Sequence, residues 1–227
     1  MIPLRDSTPT RRLPLVTWSL LAACVGVFMW QLSLEQAALE RVIMALGVVP
    51  ASLLGDYSLP PDVAMVPPVA SIFTSMFLHG GWLHLISNML YLWIFANNVE
   101  DSMGRGRFLL FYLLCGVVAV FAQAVPDPGS EIPMIGASGA ISGVLGAYLL
   151  LLPRARILML VPIVVIWTVL RLPAVLVLGL WFVIQLAQHL MSDPGQGGVA
   201  FGAHVGGFVA GLVLLPLFKR RGVPLFR

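Results

Sequence analysis

The sequence predicts an all-α, polytopic membrane protein with six transmembrane helices. Three observations carry that reading: a composition too apolar for water, six apolar runs near bilayer length, and basic residues gathered on one side of those runs. Of 227 residues, 59% are hydrophobic and 10% charged, and the mean hydropathy is +0.96. A soluble domain carries roughly a quarter charged residues to face water. The length suits one compact membrane domain. A formal net charge of +3, spread in short clusters, gives no footprint for nucleic acid. The two cysteines, Cys24 and Cys115, each sit in an apolar run and read as small buried hydrophobes. No disulfide framework, metal site or cofactor is expected from them.

Apolar runs of about 20 residues cross a bilayer as helices, because lipid offers no partner for bare backbone groups. The spans fall near Leu13–Leu34, Trp82–Val99, Phe108–Val125, Ile135–Leu152, Pro173–Leu190 and Val199–Phe218. This divides the chain into a segment 1–12, a six-helix domain 13–218 and a basic tail 219–227. The run Ile157–Leu170 holds Pro162 and is closed by Arg171. At about 14 residues it predicts an interfacial or re-entrant segment, not a seventh crossing. The loop Glu35–Gly81 holds Pro50, Pro60, Pro61, Pro67 and Pro68, and is expected to lack regular structure.

With six spans, all but one of the 13 Lys and Arg fall on one side: Arg5, Arg11, Arg12, Arg105, Arg107, Arg154, Arg156, Arg171 and the cluster from Lys219 to Arg227. The other side holds only Arg41, among Glu35, Glu40, Asp56, Asp62, Asp127, Glu131 and Asp193. The positive-inside rule then places both termini in the cytosol of a multi-pass protein of the cell (inner or plasma) membrane. Arg11 and Arg12 ahead of an apolar run resemble a signal peptide, but Val25–Trp30 stays apolar, so the first run reads as retained.

Polar groups inside a membrane are costly and mark function by default. His84 and Asn88 are an i, i+4 pair on one face of the second span. Ser138 opens the fourth span and His204 lies in the sixth. All three spans enter from the outer face, and each set falls about one to two turns below its entry, roughly 5–10 Å down. One shared depth suits acyl transfer. A serine hydroxyl needs a base to take its proton, which His204 can do. Asn88, His84 and the Ser138 backbone N–H can donate to the developing oxyanion. With no acidic residue at this depth, the expectation is a Ser138–His204 dyad without a third carboxylate, the two side chains within about 3.5 Å. Gly136 and Gly139 flank the serine. Gly139 with Gly143, Gly202 with Gly206 and Gly207 with Gly211 form small-xxx-small faces that let helices approach closely.

The His-x-x-x-Asn of His84 and Asn88, the Gly-x-Ser-Gly of Gly136–Gly139, and the Ala-His-x-x-Gly of Ala203–Gly207 together resemble the rhomboid proteases. So does Glu100 followed by Gly104 and Arg105. The resemblance runs from about Pro68 to Phe218 and implies a six-helix rhomboid-like bundle. It also implies Ser138 as nucleophile, His204 as base, and His84 and Asn88 at the oxyanion. Single-span membrane proteins would be cut near the outer leaflet, with the fifth helix as a lateral gate. His79 matches a family histidine and is a possible substrate-site residue. Two departures stand out: Ala70-Ser71 replaces a Trp-Arg pair, and Ser142 replaces an aromatic residue that in some members supports the histidine.

Two other functions compete. An inactive relative that binds membrane clients usually lacks the serine or the histidine, and this chain keeps both. A transporter would place ionisable groups near the midplane or on both sides of it. Here they gather near one face.

Overall fold

The computed structural model describes residues 2–163, 166–192 and 198–227. Helices occupy all six predicted spans: α1 (Leu15–Leu32), α5 (Trp82–Met103), α6 (Arg105–Ala124), α7 (Ser138–Leu151), α8 (Ala174–Met191) and α9 (Phe201–Phe218). Of these, α1, α6, α8 and α9 are each long and apolar enough to cross a membrane. α5 follows α4 (Pro68–Thr74) and a 3-10 turn (Ser75–Phe77), and the chain bends by 83° between that pair and α5. α7 has 14 residues, about 21 Å of rise, well short of a hydrocarbon core about 30 Å thick. By length α7 alone does not span that core, and Ser138 is its first residue.

α7 is the central helix. Every residue from Gly139 to Tyr148 is buried, which explains why its sequence reads as Gly, Ala, Ser and aliphatic apart from Tyr148. It lies directly against α9. A Cβ at Gly207 would stand 2.0 Å from Gly139 O, and one at Gly211 would stand 1.9 Å from Gly143 O. Only glycine permits this backbone contact, the small-residue packing that lipid-embedded helices use. Gly202 and Gly206, read with the same set, face elsewhere: added Cβ atoms would meet Gln123 and His189, and Ala122, respectively. α6, joined at Gly202 by the end of α8, therefore receives that face of α9.

The basic ends of the helices are tied by Glu100. Its Oε1 accepts from Val16 N–H at 3.1 Å, and its Oε2 accepts from Thr17 N–H and Thr17 Oγ1, each at 2.8 Å. A carboxylate on α5 thus caps α1, whose first-turn N–H groups have no partner within the helix.

Ile157–Leu170, expected as an interfacial or re-entrant segment and not a seventh crossing, is not helical in its described residues. It forms most of a β-hairpin, β2 (Arg156–Ile163) and β3 (Ile166–Pro173), with Val164 and Val165 outside the described residues. β1 (Ile2–Asp6), within the segment 1–12, adds antiparallel to β2. The reason is local: the run is rich in β-branched Ile and Val, and buried Ile157 and Met159 alternate with more exposed Arg156, Leu158 and Leu160. Pro162 lies past the last residue paired with β1, where β2 is an edge and needs no donor there.

The loop Glu35–Gly81 is also more regular than its prolines suggest, holding α2 (Gln36–Leu46), α3 (Pro50–Leu54) and α4. Pro50 and Pro68 occupy first helical positions, where the missing N–H costs nothing. The loop is anchored by an antiparallel bridge between Val48 and Met134 and by Gly136 N–H donating to Ser75 O at 2.9 Å. Asp193 lies outside the described residues.

Candidate active site

His84 and Asn88 project from one face of α5 toward the loop that leads into α7. Gly80 N–H donates to His84 Nδ1 at 3.3 Å. That contact makes Nδ1 the acceptor and leaves the ring proton of neutral His84 on Nε2. Nε2 points at Gly136: a Cβ added there would stand 2.6 Å from it and 3.8 Å from Asn88 Nδ2. Gly136 also holds φ +118°, a conformation that side chains rarely adopt. Both its backbone and its neighbours demand glycine.

Asn88 is 6% exposed, and its Nδ2 is buried without a hydrogen-bond partner. A buried amide left unpaired costs about 1–3 kcal/mol, so the orphaned donor requires an explanation. It shares a small space with His84 Nε2 and the start of α7, where the Ser138 N–H has no intrahelical acceptor. The two side-chain donors thus meet beside Gly136, two residues before the start of α7.

Ser138 and His204 stand on helices in direct contact. A Cβ added at Gly139 would lie 3.7 Å from both Ala203 Cβ and Ala203 O, joining the immediate neighbours of the two residues. Among the described residues no hydrogen bond links the two side chains. Such bonds are often long before substrate tightens them. Nδ1 of His204 lies 2.6 Å from Gln185 Oε1 on α8. A carbonyl oxygen only accepts, so Nδ1 carries the proton and Nε2 keeps a free lone pair. The Gln185 amide is oriented in turn by Nε2–H donating to Gln188 Oε1 at 3.4 Å. The Trp181 ring centroid lies 6.0 Å from that of His204, tilted by 33°. Gln185 and Trp181 thus supply the support that Ser142 does not. Ser142 Oγ instead donates back to Ser138 O at 2.7 Å, within α7.

The sequence reading missed Gln185. Its signal was available: a glutamine one turn before His189 in an otherwise apolar span. It also missed Gln31, whose Nε2–H donates to His79 O at 3.1 Å while its Oε1 accepts from His79 N–H at 3.0 Å. That clamp fixes the turn just before α5. His79 is buried, its ring edge-on to His84 with centroids 5.1 Å apart. At the replaced Trp-Arg position, Ser71 Oγ donates to Pro68 O at 2.6 Å and stays within its own helix.

The Rhomboid domain family model matches residues 68–221, which include every one of these elements except α1 and its Gln31. RHOMBOID-like protein 5 of Arabidopsis thaliana is 30% identical over 145 residues, 63% of this chain and 42% of that protein. Rhomboid protease GluP of Bacillus subtilis is 46% identical over 78 residues, 34% of this chain and 15% of that protein. The human mitochondrial presenilin-associated rhomboid-like protein is 35% identical over 85 residues, 37% of this chain and 22% of that protein. Each match spans less than half of the relative's length.

Proposed function

We propose that this chain, which belongs to the rhomboid family, is an intramembrane serine endopeptidase that cleaves single-span membrane proteins near the outer leaflet. One observation carries the reading. The Nε2–H of His84 and the unpartnered Nδ2 of Asn88 converge beside Gly136, two residues before Ser138.

In the proposed mechanism Ser138 Oγ attacks the scissile carbonyl carbon as His204 Nε2 takes its proton. The new oxyanion accepts from His84 Nε2–H, Asn88 Nδ2–H and Ser138 N–H, which need no reorientation when charge develops. The C–N bond breaks, and imidazolium His204 protonates the departing amine. His204 then deprotonates water, which hydrolyses the acyl ester and restores Ser138. Gln185 keeps the proton on Nδ1 and so keeps Nε2 available at each step. Water and substrate enter from the outer side, at the end of the bundle where α7 begins. α8 buries only Ala174, Leu178 and Gln185, which supports its role as the element that opens laterally. Both termini are proposed to be cytosolic, in the cell membrane.

The competing reading is an inactive client-binding relative, favoured by the missing Ser138–His204 hydrogen bond. Incubation of the purified chain with a generic transmembrane substrate decides between them. Cleavage that Ser138→Ala abolishes supports the protease, and no cleavage by a folded chain supports the inactive relative.

A further inference from the structure

At the bundle end opposite Ser138, a cavity of about 1020 Å³ is lined by six cations from three separate parts of the chain. Arg12 precedes α1, Arg105 and Arg107 lie in the first turn of α6, and Lys219, Arg220 and Arg221 follow α9. These segments are held together. Arg220 N–H donates to Ser102 O at 2.9 Å, its guanidinium donates to Asp101 O, and Arg11 N–H donates to Asp101 Oδ2 at 3.1 Å. The capping by Glu100 secures α1 beside them. The fold thus confines like charges instead of letting them separate.

Little on the protein neutralises them. Among the described residues only Arg220 pairs with a carboxylate, Asp101, at 3.7 Å. The Nε of Arg220 is buried without a partner. α6 has no side-chain cap, so its first N–H groups add partial positive charge on the same side. Cβ atoms added at Gly104 or Gly106 would meet nothing within 4 Å, so the floor of the cavity is open to a ligand.

The remaining wall identifies the source of the anion. Met103, Pro216 and Leu217 complete the lining, and Leu217 is 74% exposed on a membrane-spanning helix. A phosphate held by the cations would therefore have an apolar, lipid-facing surface beside it, where an acyl chain fits and a free ion gains nothing. The geometry points to a binding site for the phosphate headgroup of an anionic phospholipid. Basic pockets of this kind at the cytoplasmic side of helix bundles take such headgroups, each cation near the surface being worth about fivefold in affinity. The site is independent of the catalytic reading.

The test uses the full chain in neutral detergent, titrated with dihexanoyl phosphatidylglycerol, dihexanoyl phosphatidylcholine or inorganic phosphate, with the thermal unfolding midpoint as readout. Phosphatidylglycerol is expected to raise the midpoint, and the other two are not. Replacing Arg105, Arg107 and Arg221 together by Gln is expected to weaken the effect about tenfold or more, with helix content unchanged. Replacing Arg154, Arg156 and Arg171 by Gln is expected to leave it intact. If the first triple variant does not fold, Arg107→Gln alone, an exposed side chain, is expected to cost about fivefold. An equal response to phosphatidylcholine, an equal response to inorganic phosphate, or equal losses in the two triple variants would each overturn the proposal.

Discussion

The imidazole of His204 on α9 donates through Nδ1 to Gln185 Oε1 on α8, at 2.6 Å. The base is oriented by a neutral amide, on the one of the six span helices that buries the fewest residues. Gln185→Met keeps the volume and removes the acceptor, so turnover is expected to fall about 10–10²-fold with little change in KM. Gln185→Glu keeps an acceptor and should retain more turnover than Met. A purely structural role predicts the reverse order, because a buried carboxylate is costlier than a thioether. Steady-state kinetics of both variants separates the two.

Asn88 combines a functional expectation with a stability one. Loss of one oxyanion donor costs about 10²–10³ in rate. With His84 and a backbone N–H remaining, Asn88→Ala is expected at the low end. Because Nδ2 has no partner in the fold, Asn88→Leu should unfold at no lower temperature than the parent chain. A drop of several degrees would make Asn88 a structural residue.

The helices and the polar sets were legible because each rests on a local signal. Apolar length marks spans, and His84, Asn88, Ser138 and His204 are polar where lipid penalises polarity. The β-hairpin was not legible in the same way. An apolar run of 14 residues reads alike as helix or strand, and the β-branched content of Ile157–Leu170 was the better guide. The helices α2, α3 and α4 were hidden by prolines that start helices instead of breaking them. The division of labour on α9 was also out of reach. Two glycine pairs at equal spacing look identical in sequence, yet Gly207 and Gly211 meet α7 while Gly206 meets α6 and Gly202 meets α6 and α8. Gln185 was passed over because a lone amide in a span draws less notice than an ionisable group.

Glu100 accepts three hydrogen bonds from the start of α1. Glu100→Ala leaves those donors unpaired in a buried place and is expected to destabilise by about 3–5 kcal/mol. Unfolding in a denaturing detergent titration, followed by helical circular dichroism, measures it. A loss below about 1 kcal/mol would mean that water replaces the carboxylate without penalty.

Gly211 approaches Gly143 O so closely that any side chain must push α9 from α7. Gly211→Ala is expected to cost at least about 1–3 kcal/mol and to lower turnover, since the same contact brings Ser138 toward His204. Gly26, on α1, has nothing within 4 Å of an added Cβ, and Gly26→Ala should be neutral or slightly stabilising. Thermal unfolding and cleavage assays on the two variants check the contrast.

The central claim, that Ser138 is a nucleophile activated by His204 and reached from the outer side, is tested most directly by covalent labelling. A membrane-impermeant fluorophosphonate is added outside intact cells or oriented vesicles, and the modified residue is mapped by mass spectrometry. The account predicts modification of Ser138, lost in His204→Ala. Modification only from the basic side of the bundle, or a folded chain left unmodified from both sides, would contradict it.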